Sequence, residues 1–255
     1  MGPGYFGKFP SHGDFITRRL PRDGFLDIWD RWLQTALATS REQLGEAWLP
    51  TYLTSPLWRF ALGAGVCGPL PWAGIMMPSV DSVGRYFPLT LAGTVDETTS
   101  PLHIASELTE WYATLEDLAL KALDEPFDLQ QFDSHIAAWT IPPIAETTEP
   151  GLTHQVGSHS SAAVYVELHH ADQDPSHAYP ALLDHLLRNA YENYSIWWTS
   201  GSDHVAPCLL ACNGLPPAQG FAALLSGNWT DADWQFKFED ASVPEMINLP
   251  GGDPS

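Results

Sequence analysis

Residues 57–93 read LWRFALGAGVCGPLPWAGIMMPSVDSVGRYFPLTLAG, and three short segments within them set the architecture. LWRFAL (57–62) alternates, with Trp58, Phe60 and Leu62 on one side. AGIMMP (73–78) is a compact apolar run, and FPLTLAG (87–93) alternates again through Phe87, Leu89 and Leu91. A period of two marks a strand, because successive side chains leave opposite faces of an extended chain. Turns containing Gly and Pro separate the three runs, so together they predict an antiparallel meander.

Upstream, Tyr5–Phe9 reads as a short strand, followed by a turn-rich segment to Gly24. FLDIWDRWLQTAL (25–37) places Phe25, Ile28, Trp29, Trp32, Leu33, Ala36 and Leu37 on one face at helical spacing. That pattern continues toward Trp48, with Pro50 and Pro56 punctuating the exit. Downstream, Ser100-Pro101 predicts an N-cap with proline at the first helical position. Ile104, Leu108, Trp111, Tyr112, Leu115, Leu118 and Ala122 form the stripe of this second helix. Asp128 with Gln131 gives the cap of a third, running through Phe132, Ile136 and Trp139. Then come a strand AVYVEL (163–168), a Leu-rich helix (180–191), strands YSIWWT (194–199) and CLLAC (208–212), and a short helix near Phe221–Leu225. The order lacks the regular βαβ rhythm. The expected class is therefore mixed α/β (α+β), a largely antiparallel central sheet flanked by helices. Periodicity fails in TIPPIAETTEPGLTHQVGSHS (140–160), which rises in Pro, Thr and Gly. The expected division is an N-terminal domain over 1–140, a loop or subdomain boundary over 141–160, a C-terminal α/β subdomain packed on the first over 161–240, and a flexible tail over 241–255.

The 255 residues suffice to bury a core without disulfide or metal. Eleven tryptophans exceed ordinary usage; most belong in that core, and a few can anchor a partner. The three cysteines, Cys67, Cys208 and Cys212, contain no CxxC. On a strand Cys208 and Cys212 would face one way about 13 Å apart, too far to bridge. Reduced thiols, a start (MGPGYFGKFP) without an apolar leader core, and no run of membrane-spanning length predict a soluble, cytoplasmic protein. The net charge of −20 is uneven. Residues 1–59 hold seven of the eleven basic side chains against six acids, and the other 196 residues hold four basic and 25 acidic. A field of that sign repels nucleic acid and anionic membranes and favours a basic protein surface as partner.

Three segments invite a chemical reading. GPGYFGK (2–8) fits G-x-x-x-x-G-K, but Phe9 stands where a phosphate loop needs Ser or Thr, and no strand can precede Gly2. GKFPSHGDF (7–15) brings Ser11, His12 and Asp14 close in sequence. Adjacent side chains on extended backbone diverge, so Ser11 and His12 are expected to point apart, with Pro10 and Gly13 shaping a turn. ELHHADQDPSH offers His169, His170, Asp172, Asp174 and His177 as metal ligands, at no spacing that matches a known zinc module. The residues thus predict no catalytic group and no metal or other cofactor. A metal-dependent hydrolase using the 169–177 loop is the alternative enzyme reading. In MPSVDSVGRYFPLT (77–90), Asp81 and Arg85 lie four apart between two apolar strands. They read either as an ion pair pinning the loop or as a surface contact.

GYFGKFPSHGDF (4–15), DIWDRWLQ (27–34), SPLWRFALGAG (55–65) and above all GIMMPSVDSVGRYFPLT (74–90) resemble, in order, the TagF (ImpM) family of type VI secretion accessory proteins. SIWWTSGSDHVAPCLLACNGLP (195–216) is similar to that family's C-terminal part, whereas 140–180 carries no matching motif. The resemblance implies a longin-type layer of sheet and helices. It also implies a cytoplasmic protein without enzymatic activity that represses type VI secretion after translation, by engaging the system's forkhead-associated scaffold protein against a threonine kinase pathway. The other non-enzymatic possibility is a structural subunit of the secretion machine. Sequestration needs an exposed patch with aromatic or Arg anchors. The candidate partner-contact residues are Ser11, His12, Asp14, Arg18, Arg19, Arg22, Asp81 and Arg85. The arginines among them are suited to bidentate contact with an acidic or phosphorylated surface.

Overall fold

The structure is a computed structural model, and it describes residues 3–124, 126–144, 174–230 and 234. Among the described residues seven strands form one sheet: β1 (Gly4–Gly7), β2 (Ile16–Arg18), β3 (Trp58–Leu62), β4 (Trp72–Met77), β5 (Leu89–Thr94), β6 (Tyr194–Thr199) and β7 (Cys208–Asn213). The described residues also form seven α-helices: α1 (Asp27–Leu44), α2 (Trp48–Leu53), α3 (Pro101–Glu107), α4 (Thr109–Leu120), α5 (Leu129–Ala138), α6 (Tyr179–Ala190) and α7 (Phe221–Ser226). The sheet order is β2-β1-β5-β4-β3-β6-β7, and every pairing is antiparallel. The central β3-β4-β5 meander is the one predicted from residues 57–93, in register from Trp58–Met76 to Met77–Leu89.

Each sheet face has its own apolar layer. One carries Trp58, Phe60, Trp72, Met76 and Trp197, which pack against α1, α2 and α7. The other carries Ala61, Ala73, Ile75, Leu89 and Leu91, beneath α3, α4 and α5. Trp29 of α1 lies within 6 Å of the rings of Phe25, Phe60 and Trp197, and its indole N–H donates to buried Thr90 Oγ1 at 2.9 Å. On the opposite side Tyr112 Oη of α4 donates to the Phe60 carbonyl at 2.7 Å. Gly74 is obligatory at this crossing: a Cβ there would stand 2.4 Å from both the Leu91 carbonyl oxygen and the Phe60 ring.

The helix caps are as read. Ser100 accepts from the His103 N–H with Pro101 at the first helical position, and Asp128 Oδ1 accepts from the N–H groups of Gln130 and Gln131. Several boundaries differ. The first strand ends at Gly7, and the turn-rich segment contains β2, whose pairing with β1 makes it a sheet edge. Phe25 is buried but precedes α1, and Ile28 is exposed. Pro50 does not end the first helix; it lies in the first turn of α2, where its missing N–H has no helical acceptor to serve. The second helix breaks at Leu108, whose φ of −97° and ψ of 23° leave the helical region.

Residues 194–213, assigned by sequence to a C-terminal subdomain, are two strands of this same sheet, joined to β3 by β6. Ile141 and Ile144, at the start of the expected boundary, pack on the second apolar layer. Residues 145–160 of that boundary, the segment 163–168 read as a strand and the 241–255 tail lie outside the described residues.

Candidate functional site

The chain leaves β1 through Lys8, whose ammonium is buried where solvent would be expected. Its side chain is 3% exposed and its Nζ donates to Asp81 Oδ2 at 2.7 Å; the Asp81 side chain is fully covered. The same carboxylate binds Arg85 Nε at 2.7 Å, and its Oδ1 accepts from the N–H groups of Val83 (3.1 Å) and Arg85 (2.9 Å). Burial alone would raise the Asp81 carboxyl, but Lys8, the Arg85 amide and guanidinium, and the Val83 amide outweigh it and hold it well below the usual carboxylate range. One carboxylate thus takes two cations and two amides, the condition under which a buried charge is tolerated.

Residues 79–87 form a small hairpin around this hub. Asp81 N–H donates to the Arg85 carbonyl, Phe87 N–H donates to that of Ser79, and Gly84 makes the turn at φ +83°. Tyr52 of α2 clamps the base: its Oη donates to the Ser79 carbonyl at 2.9 Å and accepts from the Ser79 N–H at 3.0 Å. Burial raises the Tyr52 phenol beyond the ordinary tyrosine range, so it stays protonated as this dual partner. Ser79 Oγ donates to the Lys8 carbonyl at 2.8 Å. The 8–15 loop then docks on the hairpin, with Ser82 N–H donating to the His12 carbonyl at 3.0 Å and Arg85 Nη2 to that of Gly13.

The two segments that carry chemical-looking residues, far apart in sequence, therefore make one braced surface. Its rim shows Phe15 (49% exposed), Val83 (67% exposed), Ser11, Asp14 and Arg85. Phe15 is edge-on to Phe87 at 4.8 Å, and Lys8 Nζ lies 4.1 Å from its ring centre.

Ser11 and His12 do not point apart. Ser11 Oγ lies 2.8 Å from His12 Nδ1, because residues 9–12 close a turn (His12 N–H to the Phe9 carbonyl, 3.0 Å) and the extended-backbone expectation does not apply. The pair is exposed, and among the described residues Asp14 makes no hydrogen bond to either member. The three arginines do not act alike. Arg18 is exposed and folds onto its own Thr17 carbonyl, and Arg22 is exposed. Arg19, at φ +57°, turns inward: Nη1 binds Asp133 Oδ1 at 2.8 Å and Nε binds the Pro3 carbonyl at 3.0 Å, tying β2 to α5. Asp81 and Arg85 do pair, and the sequence reading missed their third partner. Lys8 entered the sequence reading only as part of a rejected phosphate-loop pattern, although a lysine inside the apolar run YFGKF was itself the signal of a paired, buried charge.

No group of His, Cys, Asp and Glu among the described residues could hold a metal. His169, His170 and Asp172 lie outside them; His177 lies in the helical turn 175–178, which Asp174 caps by accepting from the Ser176 N–H at 2.8 Å. Burial pushes the thiols of Cys67 and Cys212 up to about 12 and that of Cys208 to about 11, which leaves little thiolate at neutral pH.

Residues 4–139, which include both loops of the braced surface, match the TagF N-terminal domain, described as type VI secretion system-associated. The chain belongs to the TagF family. The chain is also similar to a solved structure, that of PA0076 from Pseudomonas aeruginosa PAO1, at 31% identity with a TM-score of 0.72. That likeness covers 97% of this chain and 100% of the Pseudomonas one, so it extends past the TagF domain through β6, β7 and α7. No curated protein matches the chain.

Proposed function

We propose that this TagF-family chain is a cytoplasmic, non-enzymatic repressor of type VI secretion that works after translation by binding the system's forkhead-associated scaffold protein. The reading rests on family membership and on the geometry of the braced surface. Catalysis by Ser11 and His12 would need an orienting acid and a sheltered site, and the exposed pair has neither among the described residues. A docking face needs a rigid backbone that presents an aromatic or apolar anchor beside a charge. The observation that carries the proposal is the Lys8–Asp81–Arg85 cluster, which fixes both loops and leaves Phe15, Val83 and Arg85 outward.

Within this reading Ser11, His12, Asp14 and Arg85 stay as contact candidates, joined by Phe15 and Val83. Arg18 and Arg22 flank them from β2 and the turn that follows. Asp81, like Lys8, acts from behind by positioning Arg85, and Arg19 supports the fold through Asp133. Deleting the gene and measuring effector secretion tests the role. Loss of a repressor raises secretion; abolished secretion would mark a structural subunit instead and contradict the proposal.

A further inference from the structure

The second candidate surface lies at the β7 end of the sheet, away from the ion-braced loops. α6 is fastened there by polar groups: Asp184, its one buried residue, accepts from Tyr194 Oη of β6 and from Arg188 Nε one turn on. Its apolar side chains do not hold it, and a row of them faces outward. Tyr179, Leu183 and Leu186 are 61%, 46% and 50% exposed, and Ala190 is exposed as well. Spacings of four, three and four residues keep this row on one side of the helix, which is the pattern of a seam between two helices. The other described helices turn their apolar stripes into the two core layers. Beside the row runs an apolar groove of about 670 Å³, lined by Leu183 and Leu186 together with Leu102 and Ala105 of α3 and Leu209 of β7. Leu209 is 62% exposed, and none of the described residues that line the groove carries a charge.

We propose that two copies of the chain meet on this face about a two-fold axis, α6 against α6, with the leucine row of each copy seated in the groove of the other. Shape favours a second copy: a patch that carries both a ridge and a groove is complementary to itself under a two-fold rotation, as an isologous contact requires. Charge favours it too. At a net charge of −20, two copies repel each other over most of their surfaces. Here the one carboxylate of α6, Asp184, is buried and paired with Arg188, and the groove is uncharged, so like meets like without that cost. A charged protein surface would find no ion-pairing group in the groove, and an anionic membrane is repelled by the net charge. Covering the row and Leu209 on both copies removes on the order of 800 Å² of apolar surface, at the low end for a specific interface, so the dimer is weak and forms in the micromolar range. The braced loops lie at the β1 end of the sheet, so both docking faces of the dimer remain open.

Sedimentation velocity on the full-length protein, from low micromolar to a few hundred micromolar, tests the pairing. The expected result is a mass that rises from one chain to two and no further. Added salt should tighten the association, because it screens the repulsion between two acidic chains while the seam holds no ion pair to weaken. A Leu183→Glu/Leu186→Glu variant and a separate Leu209→Glu variant are each expected to associate about 10-fold or more weakly. Both should keep the wild-type melting temperature at low concentration, since the altered positions are half-open in the single chain. A wild type that stays a single chain throughout would overturn the proposal. So would a dimer that both variants leave intact, or one that salt weakens, since either places the contact elsewhere. A fall in melting temperature of the variants at low concentration would also overturn it, by showing that the leucines are covered within one chain.

Discussion

Asp81 shows how one buried carboxylate can organise two loops. Its folded-state pKa is lowered, so the charged form contributes its full stabilisation above the ordinary carboxylate value of about 4. That contribution is lost as pH falls below this value toward the lowered one. Asp81→Asn should therefore melt at a lower temperature than the wild type at neutral pH, with the gap narrowing as pH drops below about 4; thermal melts at several pH values check this. Arg85→Ala should cost less, because Arg85 is 58% exposed whereas Lys8 and Asp81 are covered. Gly74 sets a second limit at this scale. Gly74→Ala should cost about 2 kcal/mol, read by denaturant unfolding, since its Cβ would meet a backbone carbonyl that cannot move aside. What the sequence hid here is long-range. Asp81 and Arg85 are four apart and could be paired by eye, but Lys8 is 73 residues from Asp81, and no local period links them.

Elements were more legible, for local reasons. A strand period of two revealed β3 and β5, and a side chain able to accept from amides two or three residues on revealed the caps at Ser100 and Asp128. Asp128→Ala should destabilise by about 1 kcal/mol, seen as a modest fall in melting temperature with an unchanged circular dichroism spectrum. β2 escaped notice because three residues, Ile16–Arg18, are too few to show a period, and only the pairing with β1 makes them a strand. The break at Leu108 was hidden because its side chain continues the apolar stripe; α3 and α4 share one buried face although the backbone between them is not helical. Ser11 and His12 were misplaced by assuming extended backbone where the Phe9–His12 bond closes a turn.

At the scale of the whole molecule, the antiparallel sheet, seven-stranded among the described residues, holds a helical layer on each face, and its ends differ in chemistry. The β1 end, with the hairpin before β5, carries the ion-braced loops. The β7 end carries the apolar groove. This arrangement explains why the Arg18/Arg19/Arg22 cluster suggested by sequence is a poor unit for mutagenesis: changing Arg19 would break its bonds to Asp133 and Pro3 and disturb the fold. A cleaner probe alters exposed groups alone, and Ser11 and Val83 qualify. The most direct measurement is the affinity of the purified full-length chain for the purified forkhead-associated scaffold protein, compared with that of a Ser11→Arg/Val83→Asp variant. The account predicts that the wild type binds and that the variant, with an unchanged melting temperature, binds about 10-fold or more weakly. No binding by the wild type, or equal binding by the two, would contradict it.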